Sequence, residues 1–141
     1  MTLVLDASAA LAWIFECADA TEGTLADRLL DALTEQQALV PALWHAEVAH
    51  ALLVAERRAV LREAQVSGYL HRLSRLPIAT DDVPVSRRRE LVVALGRQHR
   101  LSAVGATYLE LALRTGSALA SFDAKLVAAA KGGGVTIFGA A

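Results

Sequence analysis

The chain has 141 residues, 55% hydrophobic, 21% charged and only 5% aromatic, with a formal net charge of -1. That length fits one domain with an ordinary core and leaves no room for a second. The composition argues against intrinsic disorder, and the near-neutral charge argues against nucleic-acid binding driven by bulk charge, though not against a local basic patch. The lone cysteine, Cys17, excludes an internal disulfide framework and a four-thiolate zinc site, and fits a reducing, cytosolic setting.

In chain order, residues 2–5 form a short apolar run bounded by Asp6, which reads as a central strand. Asp6-Ala7-Ser8-Ala9 then reads as a strand-to-helix turn, with a short helix running through Trp13. The apolar stretch from Leu3 to Phe15 is interrupted by Asp6 and is too short to span a bilayer. It also lacks a signal-peptide layout. Residues 16–24 read as a loop or loose helix start. Leu25, Leu29 and Leu33, with Leu30 beside them, give an amphipathic helix. Residues 38–41 read as a second strand closed by Pro41. Helices are expected over 43–58 and 62–76, with a short strand opening at Ile78. Pro84 suits the first turn of a helix that carries Leu91, Val92 and Leu95 on one face. Ser102 is an expected N-cap for a helix over 103–114. Residues 118–122 read as a buried strand ending at Asp123. A last helix over 124–131 stops at the glycines 132–134, and a final strand is expected over 135–138.

Strands alternating with helices predict an α/β domain: a mostly parallel, twisted sheet flanked by helices on both faces. Ligands of such sheets gather at the carboxyl ends of the strands. Two expected strands end there in aspartate, Asp6 and Asp123. Each also has an ordinary alternative as the N-cap of the next helix. Glu47 lies on a mostly apolar helix; it is either a solvent-facing neighbour of His50 or a carboxylate facing the site. Glu110 reads as an exposed i,i+4 partner of Arg114. Three carboxylates at one edge would repel one another unless a cation neutralised them. Oxygen donors without thiolates or a histidine pair favour Mg²⁺ or Mn²⁺ over Zn²⁺.

Other chemistries find little support. His45, His50, His71 and His99 show no ligand spacing, Cys17 has no obvious base, and Gly132–Gly134 follows a helix instead of opening one, so it is no phosphate loop. Only Lys125 and Lys131 of the 14 basic residues are lysines. Arg57-Arg58, Arg87-Arg88-Arg89 and Arg97 with Arg100 are either solvated faces or a local track for an RNA backbone.

Val4-Leu5-Asp6-Ala7-Ser8-Ala9 resembles the opening of PIN-domain ribonucleases. So does Val40-Pro41-Ala42-Leu43-Trp44-His45-Ala46-Glu47-Val48-Ala49. Leu101-Ser102-Ala103, Ala106-Thr107-Tyr108-Leu109-Glu110-Leu111-Ala112 and Leu119-Ala120-Ser121-Phe122-Asp123 continue the pattern. Their order and spacing resemble the VapC toxins of bacterial type II toxin–antitoxin pairs, over essentially the whole chain, residues 1–141. The resemblance implies a small α/β domain whose four acids bind Mg²⁺ or Mn²⁺. It further implies RNA cleavage by metal-activated water, leaving a 5′-phosphate and a 3′-hydroxyl. Asp6 matches the first acid, Glu47 the second and Asp123 the fourth, which makes them the implied catalytic and metal-binding residues. Ser121 and Ser8 match supporting positions. A VapB-like antitoxin, an RNA substrate, a homodimer and a cytoplasmic setting without a membrane are implied as well.

One departure bears on activity. The family's third acid is the Asp of a Leu-Ser-x-Tyr-Asp-Ala pattern, whereas this chain reads Leu101-Ser102-Ala103-Val104-Gly105-Ala106. Glycine in a first helical turn costs up to about 1 kcal/mol relative to alanine. Gly105 is therefore either a missing side chain or a packing constraint close to the sheet. The leading expectation is a VapC-like endoribonuclease, weakened or inactive because of Gly105. The alternative is a catalytically dead PIN domain that binds antitoxin or RNA. A phospho-acceptor receiver-like domain is a remote third, since the first strand ends in a single Asp6 followed by Ala7 and the second in Pro41.

Overall fold

The computed structural model describes residues 2–15 and 19–140. A four-stranded sheet is built from β1 (Thr2–Leu5), β2 (Gln37–Val40), β3 (Ile78–Thr80) and β4 (Ala118–Ala120), in the order β3-β2-β1-β4. Every pairing is parallel, with Leu3 opposite Ala38 and Ala118. Leu3, Val4 and Leu5 have no exposed surface. Side chains alternate faces along a strand, so consecutive burial means that both faces of β1 are covered. The covering helices are α1 (Ala7–Leu11), α2 (Ala20–Ala32), α3 (Leu43–Arg57), α4 (Glu63–Leu73), α5 (Arg89–His99), α6 (Ala103–Thr115) and α7 (Ala124–Gly132). The α/β architecture with its parallel sheet is as expected. No helix among the described residues is long and apolar enough to cross a membrane.

Several local expectations need correction. The final strand over 135–138 reduces to one isolated bridge, Ile137 opposite Leu119, because the chain turns again at Gly139, which holds a positive φ. The helix expected to continue from Pro84 is instead a single 3-10 turn, Val85–Arg87, followed by α5. On α5, Val92 and Leu95 are buried but Leu91 is exposed. The helix over 62–76 stops at Leu73, and the one after Asp6 stops at Leu11. Of the two readings of residues 16–24, the helix start holds: α2 begins at Ala20 under an Asp19 cap. Cys17 lies outside the described residues.

Two long-range bonds fix the helices near the first strand. Buried Tyr69 on α4 donates to the Ala10 carbonyl of α1 at 2.5 Å. Trp13 donates its indole N–H to the Ala26 carbonyl of α2 at 3.0 Å.

Candidate functional site

Because all four strands run parallel, their carboxyl ends share one edge, and Asp6 and Asp123 both emerge there. Asp6 directly follows β1 and is buried. It holds the N-cap position of α1, yet its side chain makes no regular cap bond; only the adjacent Ala7 backbone reaches it. Instead its Oδ2 accepts two hydroxyl bonds, from Ser121 at 2.6 Å and from Ser8 at 2.7 Å. Each hydroxyl is itself held by the backbone of the loop after β4. The Phe122 amide donates to Ser8 Oγ and the Asp123 amide to Ser121 Oγ, both at 3.0 Å. Two N–H-to-hydroxyl-to-carboxylate relays thus fix Asp6 by the same oxygen. Both supporting serines of the sequence reading lie beside it.

Asp123 meets the ordinary expectation for a strand-terminal aspartate. Its Oδ1 accepts from the Lys125 and Leu126 amides and caps α7. It is exposed, and its charge still acts on Asp6. Glu47 on α3 is half-buried. Its Oε1 accepts a bond from the Tyr108 hydroxyl of α6 at 2.5 Å. Burial, more than anything else, lifts the Asp6 carboxyl above its ordinary pKa of 3.8; the two serine hydroxyls oppose the shift and the Asp123 charge adds to it. Burial likewise lifts Glu47, with Tyr108 opposing and the Asp6 charge adding. The three sequence-derived acids are therefore electrostatic neighbours around Asp6. None of them takes part in any of the salt bridges formed among the described residues.

Among the described residues, no group of three or more His, Cys, Asp or Glu side chains is arranged to hold a metal ion. The donor chemistry nonetheless fits a hard divalent cation. Magnesium keeps most of its waters and uses only one or two protein carboxylates. Asp6 and Glu47 are two oxygen donors outside any ion pair formed among the described residues, and the Asp6 charge raises the cost of ionising Glu47.

Gly105 is buried in the first turn of α6, where its amide donates to Ser102 Oγ at 3.1 Å. A Cβ there would meet Ser102 Oγ at 3.5 Å and the Leu101 side chain at 3.7 Å, both ordinary contacts. Its φ is not in the left-handed region. Neither packing nor backbone conformation at the Cβ demands glycine, which removes the packing alternative.

A second set of carboxylates sits on the other side of α6. Glu110, expected to be exposed, is 3% exposed. Arg114 donates to it at 2.9 Å as the i,i+4 partner, and Arg88 donates to it at 3.0 Å. Arg114 also grips Asp81, at the carboxyl end of β3, at 2.6 Å. One member of the Arg87-Arg88-Arg89 run is thereby spent on the fold. Arg57, Arg58, Arg87, Arg89, Arg97 and Arg100 are exposed.

Sequence reasoning missed Tyr108, Asp81 and Arg88 as site or network residues. Tyr108 carried a readable signal: a polar-tipped aromatic on an apolar helix usually finds a hydrogen-bond partner when buried.

The PIN domain family model matches residues 3–132. The chain belongs to the PIN domain family. The structure is similar to PAE2754 from Pyrobaculum aerophilum, with a TM-score of 0.66 at 24% identity, covering 94% of this chain and 90% of that one. It is also similar to FitAcB from Neisseria gonorrhoeae, with a TM-score of 0.63 at 17% identity, covering 98% and 96%. At these identities the two structures support the PIN fold alone. No curated protein matches the chain.

Proposed function

We propose that this PIN domain is a VapC-like toxin, an Mg²⁺- or Mn²⁺-dependent endoribonuclease weakened by the glycine at position 105. The observation that carries the reading is Asp6. It is a buried carboxylate pinned by two hydroxyls, beside Glu47 and Asp123, with no ion pair to balance it among the described residues. Folded proteins keep such a charge where a ligand cation completes it. PIN domains are typical of nucleases and of toxin–antitoxin toxins, which supports the same reading.

Asp6 and Glu47 would hold the cation, and Asp123 would add charge at the same edge while capping α7. A bound divalent ion supplies an activated water and neutralises charge developing on the phosphodiester. This chain's own side chains do the rest. Ser8 and Ser121 fix Asp6 Oδ2, which leaves Oδ1 for a ligand. The missing acid at position 105 leaves one more coordination position to water, and the loss of a direct ligand weakens binding by at least the 10–100-fold typical of outer partners. The proposed setting is the cytoplasm, with RNA as substrate, a VapB-like antitoxin as partner and a homodimer as the assembly.

The alternative of a binding-only PIN domain is favoured by one observation, the lack of a ready three-acid group among the described residues. Cleavage of single-stranded and structured RNA with Mg²⁺ and with Mn²⁺, by this chain and by Gly105→Asp side by side, separates the two. The proposal expects weak cleavage by the native chain and strong cleavage by the variant. Cleavage by neither, from folded protein, leaves the binding role.

A further inference from the structure

Tyr108 stands between the acid site and the helix that lacks its carboxylate. It follows Gly105 by three residues on α6, so the two positions share a helix face. Its side chain is 1% exposed. Its hydroxyl donates to Glu47 Oε1 at 2.5 Å, and the phenol also lies within the field of Asp6. Burial and the adjoining carboxylates push the phenol's pKa far above its ordinary value, so it remains a proton donor.

We infer that Tyr108 is a positioning residue of the acid site: its hydroxyl holds Glu47 by Oε1 and presents the rest of that carboxylate to the cation. This rests on the nuclease reading above. A carboxylate offers about four lone-pair sites, so one hydroxyl bond leaves Glu47 able to bind an ion. Glu47 projects from α3 on a long, flexible side chain, and fixing it before the ion arrives removes a rotamer cost from binding. The device matters more in this chain than in one with four acids. With no carboxylate at position 105, each remaining ligand carries a larger share of the cation.

The test compares Mn²⁺ affinity, by calorimetry and by electron paramagnetic resonance of the free ion, for the native chain, Tyr108→Phe, Glu47→Gln and the double variant. The ring is kept in Tyr108→Phe and only the hydroxyl is lost. The inference expects Mn²⁺ binding about tenfold weaker in Tyr108→Phe, with no further loss when Tyr108→Phe is added to Glu47→Gln. Unchanged affinity in Tyr108→Phe overturns the inference and leaves the nuclease reading standing. An equal loss in the Glu47→Gln background also overturns it, since Tyr108 would then act through the fold. No Mn²⁺ binding by the folded native chain overturns both. Should Tyr108→Phe fail to fold, proton NMR of the native chain decides. Mg²⁺ must shift the hydrogen-bonded hydroxyl proton of Tyr108 while that of Tyr69, held by Ala10, stays still; an unmoved Tyr108 proton at saturation contradicts the inference.

Discussion

Two sets of carboxylates flank α6, and they are satisfied in opposite ways. Asp81 and Glu110 are met by guanidinium groups, with Arg114 bridging both and Arg88 closing on Glu110. Asp6 and Glu47 are met by neutral donors, the hydroxyls of Ser8, Ser121 and Tyr108 and the Ala7 backbone beside Asp6. The first set is complete as it stands. It ties the end of β3 and the turn before α5 to α6. The second keeps its negative charge uncompensated, and burial pushes both Asp6 and Glu47 toward protonation. A buried acid with an arginine is a brace; a buried acid with only neutral donors is a site that requires a cation or a proton. Sequence position does not separate the two, since both sets lie near the carboxyl edge of one parallel sheet.

That contrast is most easily broken at Glu110. Glu110→Ala leaves Arg88 and Arg114 without their shared buried partner and should cost about 3 kcal/mol, read as a shift in the urea midpoint at unchanged slope. The low end of the range for buried pairs applies because both arginines keep some solvent contact. Mn²⁺ affinity should hardly change. On the other side, Ser121→Ala removes one hydroxyl from Asp6 and the acceptor of the Asp123 amide. It should cost about 1.5 kcal/mol and also weaken Mn²⁺ binding, which Glu110→Ala does not.

Asp6→Asn should act in the opposite direction on stability. The folded chain holds the Asp6 proton more tightly than the unfolded chain does, since burial raises the folded pKa above 3.8. The stability this contributes is fully present below pH 3.8 and is lost as pH rises through the raised folded value. Asparagine never ionises, so metal-free Asp6→Asn should be more stable than the native chain at pH 7. The gain should shrink as pH falls toward 4, in paired denaturation curves. A loss of stability at pH 7 would mean that Asp6 is a structural acid like Glu110. The smallest effect belongs to the surface: Arg89 and Glu90 sit 3.7 Å apart with 70% and 82% of their side chains exposed. Arg89→Ala should change stability by less than about 0.5 kcal/mol.

The sheet was legible because β1 and β2 are short runs closed by Asp6 and Pro41, and β4 is an apolar run, though it stops at Ala120 instead of continuing over 118–122 to Asp123. The fourth, β3, is only three residues long and was visible as an opening at Ile78. The strand expected over 135–138 shows the limit of such reading. An apolar run after a glycine stop has strand propensity, but only Ile137 reaches a partner. Leu91 is exposed because it sits at the edge of the stripe that Val92 and Leu95 bury, about 100° around α5 from Val92. Asp6, Glu47 and Asp123 could be named as candidates because acids that interrupt apolar runs stand out. Glu110 was misread because one visible partner, Arg114, is on its own helix, while Arg88 is brought in from 22 residues away. Tyr108 and Asp81 act through partners 61 and 33 residues distant, and no local pattern announces such pairs.

The most direct test of the central claim is a Mn²⁺ titration of the native chain, Asp6→Asn and Gly105→Asp under one set of conditions. The account predicts measurable binding by the native chain, loss of binding in Asp6→Asn, and at least tenfold tighter binding in Gly105→Asp. Equal affinity in all three folded proteins would contradict it, because the carboxylates at the end of β1 would then have no part in holding a cation.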